Sequence, residues 1–186
     1  MKSSIDIPAN PVIAAVKSEQ QLVRAIESEC NIIFLLFGDI LSISRLTPRV
    51  SEAGKHPIVH IDLVNGLAAR EIAVDFIART TCAEGIISTR PTLIRHANEL
   101  GLFTVLRVFA LDSMALENLP RELEIVDPDV VEILPGLMPE IIRRVCNSTR
   151  TPVIAGGLIS SKQEIIAALS SGAAGVSSTC ESTWSI

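Results

Sequence analysis

Eight short apolar runs, most of them rich in β-branched residues, alternate with polar stretches of helical period along 186 residues. A glycine pair, Gly156-Gly157, follows the seventh run, and the hydroxyl residues Ser177, Ser178 and Thr179 close the eighth. Together these predict an α/β fold, a compact (β/α)8 TIM barrel with a very short last helix, in which residues 1–186 make a single ligand-binding domain. An open doubly wound sheet is the other arrangement that such alternation allows. Parallel strands buried on both faces account for the 48% hydrophobic content. The longest clear run, Ile32 to Phe37, falls far short of the roughly 18 apolar residues that a membrane span requires.

The runs can be taken in order. Pro11–Val16 leads into a helix from Ser18 to Glu29, and Ile32–Phe37 into one from Ile43 to Ala53 that must tolerate Pro48 near its first turn. Pro57–Leu63 precedes a strongly periodic helix from Leu67 to Thr81. Gly85–Ser88 precedes Pro91–Leu100, with proline at a permitted first position and Gly101 closing the helix. Leu102–Phe109 is followed by a short helix around Met114–Asn118, and Val130–Leu134 by Met138–Cys146. Pro152–Ala155 is followed by Gln163–Ser171, and Gly175–Ser178 is last. No linker or low-complexity stretch interrupts the pattern, so no domain boundary is expected.

The end of the chain points to an anion. Gly156 and Gly157 let the backbone approach a ligand without a Cβ in the way. Ser160 or Ser161 caps the next helix, with Glu164 as reciprocal partner in a capping box. Unpaired amides and the positive helix terminus are then receptive to a phosphate, as in the last two units of a barrel. A small phosphorylated ligand is expected.

Polar residues at the C-terminal ends of the other strands would face the same mouth: Asp39, Asp62, Ser88, Thr89, Arg90, Arg107, Asp112 and Glu132. Asp39 and Asp112 read equally well as helix caps. Asp62, Arg107 and Glu132 sit in or at the end of apolar strands, so each must be paired or face a polar pocket. An Arg107–Glu132 salt bridge and contact with the ligand are both open readings, and they can hold together. Arg90 and Arg107 suit a ligand oxyanion. His60 shares a face with Asp62 and reads as a core histidine with a satisfied hydrogen bond, whereas His56 and His96 read as solvated.

Several classes are disfavoured. Lys2, Lys17, Lys55 and Lys162 are the only lysines, and none is placed at the C-terminal end of a strand, as a Schiff-base aldolase requires. No Asp, Glu, His or Cys cluster has metal-ligand spacing, so no metal is expected. The net charge of −5 weighs against an extensive nucleic-acid surface, and a chain with no tyrosine and five phenylalanines lacks a stacking platform. Local basic clusters remain at Arg45, Arg49 and Lys55 and at Arg143, Arg144 and Arg150, although solvated helix faces explain both more simply. Cys30, Cys82, Cys146 and Cys180 are scattered, and Met1–Asp6 lacks the apolar core of a signal peptide. A cytoplasmic protein with free thiols is expected.

The ordered motifs His60-Ile61-Asp62-Leu63, Gly85-Ile86-Ile87-Ser88-Thr89, Leu111-Asp112-Ser113, Glu132-Ile133-Leu134-Pro135-Gly136 and Ala155-Gly156-Gly157-Leu158-Ile159 resemble those of the glycerol-3-phosphate-responsive antiterminators, bacterial regulators of glycerol uptake. The resemblance runs from about Phe37 to Trp184. It implies a (β/α)8 barrel that binds glycerol 3-phosphate without turnover and acts on leader mRNA, letting polymerase read through a terminator. Carried over by position, Gly156, Gly157, Ser177, Ser178 and Thr179 would hold the phosphate, and Asp62, Arg107 and Glu132 would line the floor near the glycerol hydroxyls. Many relatives are expected to carry lysine where Arg90 follows Ser88-Thr89, which changes the geometry there. No cofactor is implied beyond the ligand. A shift of the site loops or of a homo-oligomer would couple ligand to RNA. The competing reading is a phosphosugar isomerase or synthase with Asp62 or Glu132 as general base.

Overall fold

The computed structural model describes residues 5–185. Among them, eight parallel strands close into a barrel in chain order, each pairing with its sequence neighbour and β8 with β1. The expected fold class is therefore observed. Strands β1 (Val12–Val16), β2 (Ile32–Leu35), β3 (His56–His60) and β4 (Gly85–Ser88) form one half. Strands β5 (Phe103–Phe109), β6 (Val130–Leu134), β7 (Val153–Gly156) and β8 (Gly175–Ser178) form the other. Helices α1 (Glu19–Glu27), α2 (Ile43–Glu52), α3 (Glu71–Thr80), α4 (Pro91–Glu99), α5 (Ser113–Val126), α6 (Pro139–Ser148) and α7 (Lys162–Ser170) alternate with them. After β8 only a 3-10 turn, Glu181–Thr183, remains of a last helix.

Strand alternation divides the apolar residues into two cores. Ile13, Ala15, Phe34, Ile58, Ile87, Val105 and Ile154 point inward and fill the barrel. Ala14, Ile33, Val59, Ile86, Leu106, Val131 and Val176 point outward and pack under the helices. The inward sequence on β3 continues from Ile58 to His60, on β5 from Val105 to Arg107, and on β6 from Val130 to Glu132. Polar side chains thus replace aliphatic ones as the strands approach their C-terminal ends.

Four features differ from expectation. Pro48 lies inside α2, past its first turn. The segment after β3 forms a 3-10 turn at Ile61–Leu63, and α3 begins only at Glu71. The intervening loop is held by a bridge from Asp39 to Asn65 and a bond from the Asn65 amide to the Gly38 carbonyl, 3.0 Å. Gly66 turns there at φ +89°. Finally, α5 runs through Pro120 for 14 residues instead of stopping at Asn118. Leu119, Leu123 and Val126 bury its inner face, and that packing outweighs the local cost of proline.

Candidate functional site

The mouth at the C-terminal ends of the strands contains a cavity of about 300 Å3 lined by Lys17, Leu36, Arg107, Leu134, Leu158 and Thr179, with Gly157, Ser177 and Ser178. A larger groove of about 620 Å3 lies between the C-terminal ends of α5 and α6, beside Glu124, Asp127 and Arg150. That groove is at the opposite end of the barrel, where such folds do not place their chemistry.

The floor of the cavity is an ion pair. Register places Arg107 opposite Glu132 on adjacent strands, and Nε of Arg107 donates to Oε2 of Glu132 at 2.6 Å. Ser177 donates its hydroxyl to the other carboxylate oxygen. Glu132 has no exposed surface, and the Arg107 side chain is 10% exposed. Removing two charges from water is tolerable only with this degree of satisfaction. The salt-bridge reading of Arg107 and Glu132 is therefore realised. Gly156 makes the arrangement possible, because a Cβ there would press into the Glu132 carboxylate and sit 2.8 Å from Oγ of Ser177. Its glycine is required by the carboxylate beneath it.

The lip is formed by backbone. Gly157 and Leu158 adopt consecutive left-handed conformations, φ +76° and +63°. Gly136 donates its amide to the Gly157 carbonyl at 3.2 Å, tying the β6 and β7 loops together. Among the described residues, the amides of Gly157, Leu158 and Thr179 donate to no protein acceptor. Ser178 is committed elsewhere: it is buried and donates to the Ile159 carbonyl at 2.8 Å.

Two expectations about this end of the site need correction. The N-terminus of α7 is capped as anticipated, with Ser161 and Glu164 forming a capping box. However, Oε2 of Glu164 accepts from the amides of Ser160 and Ser161 at 2.7 and 2.9 Å. These bonds hold the carboxyl below its usual range, led by the one from Ser160. The amides of Ser160 and Ser161 are thus taken by a carboxylate of the chain itself. Second, Lys17 follows β1 directly and lines the cavity, so one lysine does stand at the C-terminal end of a strand. The next residue, Ser18, caps α1. Lys17 is exposed, unlike the buried amine of a Schiff-base enzyme.

Asp62, Ser88, Thr89 and Arg90 form a separate cluster at β3 and β4. The Asp62 carboxylate accepts from Oγ of Ser88 at 3.0 and 3.1 Å and from the Thr89 amide at 2.8 Å. Nε of Arg90 lies 3.6 Å from it, with the Arg90 side chain 55% exposed. This cluster borders its own cavity of about 60 Å3, beside Leu67 and Leu93. His60 connects the two groups. It is 3% exposed, Nδ1 has no hydrogen-bonding partner, and that atom lies 3.9 Å from Oδ2 of Asp62. Burial, followed by the charge of Arg107, lowers its pKa to about 4. The expected satisfied core histidine is thus an unsatisfied one.

The remaining candidates have partners within the fold. Asp112 accepts from the Ala115 amide at 2.8 Å and caps α5. Asp39 accepts from the Leu41 and Ser42 amides and from the Ser42 hydroxyl; those bonds hold its carboxyl below the usual range. His56 pairs with Glu84 at 2.9 Å and half-buried His96 with Asp75 at 3.2 Å, so neither is merely solvated. Among the described residues, no group of three His, Cys, Asp or Glu is placed to hold a metal ion. Among those residues, too, no helix is long and apolar enough to cross a membrane.

The family profile described as "Glycerol-3-phosphate responsive antiterminator" matches residues 12–184. An uncharacterized protein of Escherichia coli K12, YgcP, is 37% identical over 177 residues, 95% of this chain and 93% of that one. The crystal structure of a glycerol uptake operon antiterminator regulatory protein from Listeria monocytogenes superposes with a TM-score of 0.90 at 30% identity, covering 94% of this chain and 95% of that one. An antiterminator-related protein from Thermotoga maritima gives 0.82 at 32% identity, covering 93% and 96%. A deoxyribose phosphate aldolase from Aeropyrum pernix gives 0.74 at 14% identity over 96% and 89%, a likeness of fold alone.

Proposed function

The chain belongs to the glycerol-3-phosphate responsive antiterminator family, and we propose that it binds glycerol 3-phosphate in the barrel mouth and, when loaded, acts on the leader mRNA of glycerol-uptake genes. The observation that carries this reading is the lip of the 300 Å3 cavity, where the Lys17 side chain and the unpaired amides of Gly157, Leu158 and Thr179 lie around one opening. A cation and several fixed N–H groups suit a phosphate dianion. Arg107 on the floor, neutralised by Glu132, is left as a donor to the polyol end.

Turnover fits less well. A general base must be free to accept a proton. Glu132 already accepts from Arg107 and Ser177, and Asp62 from Ser88 and Thr89. The arrangement favours binding.

Ligand would act on RNA by favouring one arrangement of the site loops. The basic clusters offer less to RNA than their sequence spacing suggests. Arg45 and Arg49 both pair with Glu19, at 3.2 and 3.3 Å, and Arg143 pairs with Glu140. Nζ of Lys55 is turned onto the carbonyls of Ala25, Ser28 and Cys30.

The test is a leader-RNA mobility shift with and without glycerol 3-phosphate, beside glycerol and inorganic phosphate, accompanied by calorimetric titration of the ligand. The expected result is saturable binding of glycerol 3-phosphate and an RNA shift that depends on it. Absence of heat and of any melting shift with organophosphates would refute ligand binding. An RNA shift indifferent to ligand would refute the coupling.

A further inference from the structure

We infer that Trp184 is a positioning residue of the phosphate site: its indole N–H holds the Ser178–Thr179 peptide so that the Thr179 amide faces the ligand. This rests on the barrel mouth being the phosphate-ester site. Trp184 is 2% exposed, packs in the core outside the strands, and is not among the residues that line the 300 Å3 cavity. Its Nε1 donates to the Ser178 carbonyl at 2.9 Å. That carbonyl and the Thr179 N–H belong to one planar trans peptide, in which the two bonds point in opposite directions. With the carbonyl turned to the indole, the N–H is turned away from it, on the side of the cavity that Thr179 lines.

The neighbouring groups are spent within the protein. The Ser178 hydroxyl donates to the Ile159 carbonyl and accepts from the Cys180 amide at 3.1 Å. The Thr179 carbonyl accepts from Nε2 of Gln21 at 3.4 Å, and Oε1 of Gln21 accepts from the Lys17 amide at 2.8 Å. Among the described residues, the Thr179 amide itself has no protein acceptor. A main-chain donor left over beside bonded neighbours is available to a ligand. The facing loop uses the same device: Gly136 donates to the Gly157 carbonyl, which turns the Leu158 amide the other way. At β8 an indole does what a backbone amide does at β7. The indole bond also polarises the peptide and so strengthens the N–H as a donor to an anion.

The experiment uses the single tryptophan of the chain as both target and reporter. Glycerol 3-phosphate is titrated calorimetrically into the native protein, Trp184→Phe, which keeps an aromatic ring without the N–H, and Val126→Ala, a core truncation at the end of α5. Thermal melting of each protein verifies folding. Trp184→Phe is expected to bind about three- to tenfold more weakly, as for the loss of one neutral hydrogen bond, and Val126→Ala to bind as the native protein does. In native protein isotopically labelled at the indole nitrogen, the one indole N–H resonance should move downfield with ligand and saturate at the calorimetric dissociation constant. The reason is that an anion on the Thr179 amide makes the Ser178 carbonyl a stronger acceptor. Undiminished affinity in folded Trp184→Phe, equal losses in the two variants, or a resonance unmoved at saturation overturns the inference while leaving the phosphate-ester site standing. If Trp184→Phe does not fold, the resonance decides. No binding by the native protein overturns both.

Discussion

Gly156 and Glu132 are neighbours that exclude a side chain between them: a Cβ on Gly156 would press into Oε1 of Glu132 while lying 2.8 Å from Oγ of Ser177. Neither oxygen can retreat, since one is bound to the other and the carboxylate is also held by Arg107. Gly156→Ala should therefore cost about 3 kcal/mol, from overpacking and partial separation of a buried ion pair. Urea unfolding of the variant measures this. A loss below about 1 kcal/mol would mean that the pair adjusts freely.

Stability should also depend on pH through His60. An unfolded histidine titrates near 6.5, whereas the folded one titrates near 4, so as pH falls the unfolded chain takes the proton first. The full contribution is present above pH 6.5 and is lost progressively toward pH 4, by about 3 kcal/mol at most. The depressed carboxyls of Asp39 and Glu164 act only at still lower pH. Denaturation midpoints measured between pH 7 and 5 should fall for the native protein and stay flatter for His60→Phe. Parallel slopes in the two proteins would contradict the assignment.

Much of this architecture was legible in the residues, and the exceptions have physical causes. Short β-branched runs such as Ile32–Leu35 marked the strands because both of their faces are buried. Arg107 and Glu132, each inside an apolar strand, could be expected to pair, and they do. Pro120 hid the second half of α5, since local chemistry argues for a stop while burial of Leu123 and Val126 argues for continuation. The Glu164 capping box was readable, but the second bond of its carboxylate, to the Ser160 amide, was not. Lys17 stands one residue past the end of β1, a position that strand length alone does not fix to the residue. The missing partner of His60 had no signal in sequence, since satisfaction of a buried atom depends on three strands meeting.

Lys17 gives the most direct test of the cavity lip. Its side chain is exposed, so Lys17→Met should leave the stability of the ligand-free protein unchanged within about 0.5 kcal/mol. A charge-assisted contact to phosphate contributes about 1.5–3 kcal/mol, so affinity for glycerol 3-phosphate should fall by roughly ten- to a hundredfold. Titration calorimetry at two salt concentrations reads both affinity and its ionic component. An unchanged dissociation constant would remove Lys17 from the site.

The conformation of Leu158 leads to a prediction of the opposite sign. A leucine at φ +63° carries the left-handed penalty of a side chain with a Cβ, about 1–2 kcal/mol, and its 72% exposure means that little packing offsets it. Leu158→Gly removes the penalty but adds flexibility to the unfolded chain, at a cost of about 0.5–1 kcal/mol. The expected net effect is a gain of up to about 1 kcal/mol, whereas Leu158→Ala, which keeps its Cβ, should show no gain. Urea unfolding of the two variants separates backbone strain from side-chain contact. If glycine destabilises as much as alanine or more, the leucine side chain is holding the lip in place through its own packing, and the strained turn is a consequence of that contact.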